Sequence, residues 1–161
     1  MRFYLIDRIT SCEPGQRASA RKAVSLSEDF LEQHFAGIPI MPGTMMLEGM
    51  AQLSGYLLAC TMVPEAPYRH KAILTMVERA KFRQVVQPGN VILYESKIVQ
   101  THTDSAKCEV EARVEGELVA SARLLFTFRS LANDLLEENR RQTFAIWTTG
   151  ASQPVDPDPT R

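Results

Sequence analysis

Thr44-Met45-Met46-Leu47-Glu48-Gly49-Met50-Ala51-Gln52-Leu53-Ser54-Gly55-Tyr56-Leu57-Leu58-Ala59-Cys60-Thr61 is the stretch that decides the fold. Met45, Leu47, Met50, Ala51, Leu53, Ser54, Leu57 and Leu58 spread small or apolar groups over most of a helical circumference. A helix apolar nearly all round is a buried one. Pro42, Glu48, Gln52 and Pro64 interrupt the apolar region, so it reads as a core helix rather than a membrane span. Glu48 stands out, because carboxylates are seldom buried without a partner or a task.

Immediately upstream, Ala36-Gly37-Ile38-Pro39-Ile40-Met41-Pro42-Gly43 places prolines and glycines where no regular element can continue. Its remaining residues are apolar, which indicates an ordered loop rather than a linker. Further back, Phe3–Ile9 and Arg17–Val24 read as strands, and Ser27 is a candidate cap for a short turn through Glu32. Downstream of Pro64-Glu65-Ala66-Pro67 the period changes to two. His70–Val86 reads as one long bent strand, followed by strands over Asn90–Gln100, Lys107–Val114 and Leu118–Phe128. Cys108, Val110, Ala112 and Val114 alternate with Glu109, Glu111, Arg113 and Glu115, the pattern of a half-exposed antiparallel strand. Gly116 then marks a tight hairpin. Arg129–Gln142 returns to a helical pattern with Leu131, Leu135 and Leu136 on one side. These elements predict an α+β fold, an antiparallel sheet curved around one long central helix. The domain spans 1–128, with a helical extension over 129–148 and a proline-containing, disordered tail over 149–161.

A chain of 161 residues, 45% hydrophobic and 23% charged, suits one globular domain with a core of its own. A formal net charge of −1 supplies no global field for nucleic acid or membrane surfaces. Cys12, Cys60 and Cys108 are far apart and form no CxxC pair, so neither a zinc site nor a redox motif is indicated. Reduced thiols and an amino terminus without a signal-like apolar stretch point to a cytoplasmic protein.

The chemistry concentrates around the loop. His34 and Glu48 flank it, and Gly43 stands where it enters the helix. There, unpaired backbone N–H groups and the positive end of the helix dipole point outward, and a glycine lets a substrate oxygen come close. A base, an oxyanion donor and a carboxyl group together suit elimination of water beta to a thioester. A neutral imidazole is a suitable base near neutral pH. The Gly43 amide could hold the developing enolate oxygen, a contribution of about 2.7–4 kcal/mol in comparable sites. Glu48 could protonate or position the departing hydroxyl. No metal or cofactor is required. His70 and His102 sit in polar, turn-like surroundings and read as solvated, Trp147 as a packing anchor, and Met41, Met45, Met46 and Met50 as helix core or adaptable pocket lining.

His34-Phe35-Ala36-Gly37-Ile38-Pro39-Ile40-Met41-Pro42-Gly43, followed by Glu48-Gly49-Met50-Ala51-Gln52, resembles the HFPGxPxMPG…E(A/G)MAQ pattern of FabZ/FabA-type 3-hydroxyacyl-[acyl-carrier-protein] dehydratases. Phe3–Ile9 is similar to the family's opening strand, and Lys81-Phe82-Arg83-Gln84-Val85-Val86 with Pro88-Gly89 to its KFRxPVxPGD stretch. The resemblance implies a hotdog fold and a homodimer whose sites take His from one subunit and Glu from the other; further assembly, as a trimer of dimers, stays open. It also implies His34 as catalytic base, Glu48 as its carboxylate partner and the Gly43 amide as carbonyl donor. Glutamate at position 48 resembles the FabZ branch. Gln33 and Ala36 depart from the usual Gly and Pro on either side of His-Phe, and Gln84 stands where Arg is common.

Arg79, Lys81 and Arg83 recur at every second residue. They form either a solvated strand edge or a docking site for acidic acyl carrier protein and its phosphopantetheine. Three rival functions stay open: a hotdog thioesterase, which leaves His34 without a task; a coenzyme A-linked enoyl hydratase, whose usual motif places the acidic residue before the His; and a non-catalytic acyl-binding protein on the same fold.

Overall fold

The computed structural model describes residues 3–130 and 133–149. Its elements run β1 (Arg8–Glu13), β2 (Arg17–Ala23), a 3-10 turn (Asp29–Leu31), α1 (Gly43–Met62), a second 3-10 turn (Pro67–Arg69), β3 (His70–Phe82), β4 (Val91–Thr101), β5 (Ser105–Val114), β6 (Glu117–Ser130) and α2 (Asp134–Thr148). The six strands make one antiparallel sheet in the order β1-β2-β4-β5-β6-β3. α1 packs against every one of them, so the sheet wraps around the helix. This is the α+β arrangement that the sequence predicts.

The core lies between α1 and the sheet. Met46, Met50, Leu53, Leu57 and Leu58 are at most 2% exposed, and each side chain so buried contributes about 1.5–3 kcal/mol relative to exposure. Ser54 is also buried; its hydroxyl donates to the Met50 carbonyl and lies 2.9 Å from the Ser96 hydroxyl of β4, so this buried polar group is satisfied. On β5, Cys108, Val110 and Ala112 point inward and Glu109 to solvent, as the alternation requires. The β5–β6 turn carries φ of 52° at Glu115 and 87° at Gly116. Two successive positive φ values match the turn to the twist of the strands, and glycine takes the more extreme one.

Four local expectations need correction. Phe3–Asp7 is not part of the first strand; the Leu5 amide donates to the Gln52 side chain of α1 instead of a strand partner, and the ladder begins at Arg8. Ser27 caps nothing: its hydroxyl pairs with that of Ser25, and the 3-10 turn starts at Asp29 without a side-chain cap. β6 continues to Ser130, where it still pairs with His70, and α2 begins only after Asn133, whose side chain accepts the Leu136 amide. His70 is half-buried rather than solvated in a turn: it opens β3, and its Nδ1 is buried without a partner. His102 is exposed, with its ring 2.8 Å from the Gln100 amide nitrogen. Leu131 and the tail beyond Thr149 lie outside the described residues. Among the described residues, no helix is long and apolar enough to cross a membrane.

β3 is an edge strand. Ile73, Met76, Val77 and Phe82 along it remain 39–54% exposed. A long edge carrying apolar side chains is a template for pairing.

Candidate active site

The loop before α1 is built on backbone hydrogen bonds. The Phe35 and Ile38 amides each donate to the other's carbonyl at 2.9 Å, Ile40 donates to the His34 carbonyl at 2.8 Å, and Met41 to the Val86 carbonyl at 2.8 Å. Gly37 turns the chain at φ 79°, a conformation open to glycine. His34 is half-buried and stacks on Phe35 with ring centroids 4.2 Å apart. Its Nδ1 lies 2.9 Å from the Ile40 carbonyl. A carbonyl only accepts, so in the neutral imidazole Nδ1 carries the proton and Nε2 the lone pair.

Gly43 opens α1. Met45 and Met46 donate to the Pro42 carbonyl, while the Gly43 and Thr44 amides have no partner among the described residues. A Cβ at Gly43 would lie 2.9 Å from the Phe82 ring, so a larger residue at the helix start would have to displace that ring at the end of β3.

Glu48 sits one turn further along α1 and is half-buried, not enclosed in core. Gln52 holds it: its Nε2 lies 3.1 Å from Glu48 Oε1 and 3.0 Å from the Phe3 carbonyl, while its Oε1 accepts the Leu5 amide at 3.0 Å. Sequence reading gave Gln52 no role; its place four residues after Glu48 on the same helix face was the available signal. Glu48 lines a cavity of about 330 Å³ between α1, β3 and α2, with apolar walls at Ala51, Gly55, Ala72, Leu74 and Phe126. His34 is not among its lining residues. A single chain therefore does not gather the two groups around this cavity. Among the described residues, no group of three or more His, Cys, Asp and Glu side chains is placed to hold a metal ion.

Arg79, Lys81 and Arg83 are all exposed. Arg79 and Lys81 pair with Arg123 and Ser121 of β6, and Arg83, just past the strand, donates to the Ser121 hydroxyl at 2.9 Å. Carboxylates are interleaved: Arg79 shares a shallow groove with Glu109, Glu111 and Arg123, Arg123 pairs with Glu109, and Lys107 meets Glu78 at 2.7 Å. The surface is mixed in sign rather than purely basic.

Residues 1–123 match the FabA-like domain family. The chain belongs to that family. A 3-hydroxyacyl-[acyl-carrier-protein] dehydratase FabZ of Ehrlichia chaffeensis is 40% identical over 123 residues, covering 76% of this chain and 82% of that protein. The FabZ of Shewanella loihica is 36% identical over 130 residues, covering 81% and 85%. Solved structures agree on the hotdog fold. A hot-dog-like protein from Thermanaerovibrio acidaminovorans superposes with a TM-score of 0.60 at 19% identity, covering 83% of this chain and 93% of that one. The smu.793 protein of Streptococcus mutans bound to acetyl CoA also gives 0.60, at 15% identity, covering 78% and 90%.

Proposed function

We propose that this chain dehydrates a 3-hydroxyacyl thioester carried on acyl carrier protein, giving the trans-2-enoyl thioester and water. The observation that carries the reading is the prepared state of the two reacting groups. The bond from Nδ1 to Ile40 leaves His34 Nε2 as the base, and Gln52 holds the Glu48 carboxyl at the wall of an acyl-sized cavity. Nε2 takes the proton from the carbon next to the thioester carbonyl. The Gly43 amide, at the positive end of α1, holds the carbonyl oxygen as negative charge develops on it. Glu48 protonates the hydroxyl on the next carbon, the C–O bond breaks, the double bond forms and water leaves. The FabZ relatives, whose names state this activity of them, support the assignment.

The site is completed by a second copy of the chain. β3 is 13 residues long with Met76 at its centre, so edge-to-edge antiparallel pairing about a two-fold there sets His70 opposite Phe82 of the partner subunit. Phe82 is the ring on which Gly43 packs. The partner's loop then arrives beside Lys71–Leu74, the strand end that lines the Glu48 cavity. Phe35 and Ile38, 57% and 59% exposed at the loop tip, gain cover in the same step.

Purified protein given a 3-hydroxyacyl thioester on acyl carrier protein is expected to produce the ultraviolet absorbance of the conjugated enoyl thioester. His34→Ala and Glu48→Gln are each expected to lower that rate by about 10²–10⁴-fold. Release of free thiol instead, or wild-type turnover no faster than the variants, rejects the reading. Arg79, Lys81 and Arg83 are the proposed docking surface for the acidic carrier. Reversing their charges is expected to raise KM about tenfold or more while kcat changes little, because rim charges act on encounter rather than chemistry. An unmoved KM after all three reversals removes the surface from this role.

A further inference from the structure

α2 lies beyond the family match, which ends at residue 123, yet it forms one wall of the Glu48 cavity through Arg140, Thr143, Phe144 and Trp147. It is fastened there. Arg140 donates to the Tyr68 and His70 carbonyls at 3.1 and 3.0 Å, and its guanidinium carbon lies 4.9 Å from the Phe144 ring centroid. Trp147 is 6% exposed, packed edge-on to Tyr4 and Tyr56 and stacked on Phe144. Phe144 meets Tyr56 edge-on at 4.9 Å. Tyr56 is two helical turns past Glu48, about 12 Å along α1 at 1.5 Å per residue. The cavity thus joins the Glu48 carboxyl, walls at Ala51, Gly55 and Leu74 with Lys71 and Arg140 also lining it, and an aromatic cluster in which α2 supplies Phe144 and Trp147 and α1 supplies Tyr56.

We propose that α2 closes the far end of the acyl cavity, and that Phe144 and Trp147 set the longest straight acyl chain the site accepts. The inference rests on the dehydratase reading of the same site. An alkyl tail entering with its thioester beside Glu48 runs along α1 over Ala51 and Gly55 and stops against the Phe144–Trp147 pair. A longer tail has to displace rings that pack on one another and on Tyr56, and close-packed aromatic groups yield poorly.

Two opposed substitutions test it on the full chain, with 3-hydroxybutanoyl, 3-hydroxyoctanoyl and 3-hydroxyhexadecanoyl carrier-protein thioesters as substrates. Phe144→Ala lengthens the cavity and is expected to raise kcat/KM for the longest substrate relative to the shortest by about tenfold or more, the scale set by single-methylene discrimination in apolar pockets. Thr143→Phe fills it and is expected to move the same ratio in the opposite direction. Trp147 is the chain's single tryptophan, so intrinsic fluorescence gives a readout independent of turnover and of Phe144→Ala folding. An unreactive decyl thioether of pantetheine is expected to change its emission saturably, and the ethyl thioether is not. Variants that scale all three substrates alike, or emission unmoved by the decyl probe, overturn the role of α2. The butanoyl substrate, which is too short to reach α2, separates the two claims: absence of wild-type turnover there rejects the dehydratase reading itself, whatever the chain-length ratios of the α2 variants.

Discussion

His34 and Ile40 hold each other twice, ring nitrogen to carbonyl and amide to carbonyl, which fixes both the direction of the imidazole and its tautomer. The same economy governs Glu48, whose aim depends on Gln52. Removing that amide leaves the Leu5 N–H and the Phe3 carbonyl without their partner as well. Gln52→Ala is therefore expected to lower kcat about tenfold with KM nearly unchanged, and to cost about 1–3 kcal/mol of stability for the unsatisfied groups. Steady-state kinetics beside denaturant unfolding would check both parts. A rise in KM at constant kcat would mean that Gln52 binds substrate rather than positions Glu48. The loop and helix entry that carry the proposed His34–Gly43–Glu48 set were legible in sequence because loop breakers and helix starts are local signals. Gln52 was not, since its partners at Phe3 and Leu5 are distant in the chain.

Helix α1 follows from its own apolar pattern, but its depth in the sheet is decided at Gly49. A Cβ there would lie 2.6 Å from the Tyr94 hydroxyl and 3.0 Å from the Leu5 carbonyl. Tyr94 is 1% exposed with its hydroxyl unpartnered, and burial pushes that phenol well above its ordinary range. Its ring is enclosed in the core. Alanine in place of a mid-helix glycine ordinarily stabilises by about 0.5–1 kcal/mol, whereas overpacking costs about 1–3 kcal/mol. Gly49→Ala is expected to be destabilising on balance, with a lower Tm and weakened turnover as the neighbouring Glu48 shifts. A higher Tm would show that Tyr94 moves freely. Elsewhere the elements follow local pattern where the chain turns sharply, as at Glu115-Gly116. They depart from it where tertiary partners intervene: β6 outlasts its apolar alternation because β3 continues to pair with it as far as His70.

At the scale of the whole molecule, the cavity that Glu48 lines does not include His34, and the proposed site therefore draws on two copies of the chain. The exposed apolar edge of β3, the exposed tip at Phe35 and Ile38, and a Glu48 cavity without His34 all fit the proposed pairing of two copies. Met76→Arg with Val77→Arg on that edge is expected to give a monomer by sedimentation. It should also lower turnover by at least about 100-fold, the lesser contribution of a general base, because His34 would be withdrawn from the partner's cavity. A monomer with full activity would place both reacting groups within one chain and reject the shared site.

The order of residues by itself determined the buried helix, the antiparallel run that encloses it and the family, and it singled out the His-loop-Glu set on which the proposed chemistry rests, because each is written in neighbours a few positions apart. Only the tertiary structure decided that Gln52 aims the carboxyl, that β3 is left as an open edge and that α2 returns to wall the cavity. Those outcomes join segments separated by tens of residues, and such contacts are selected by packing after the local elements exist.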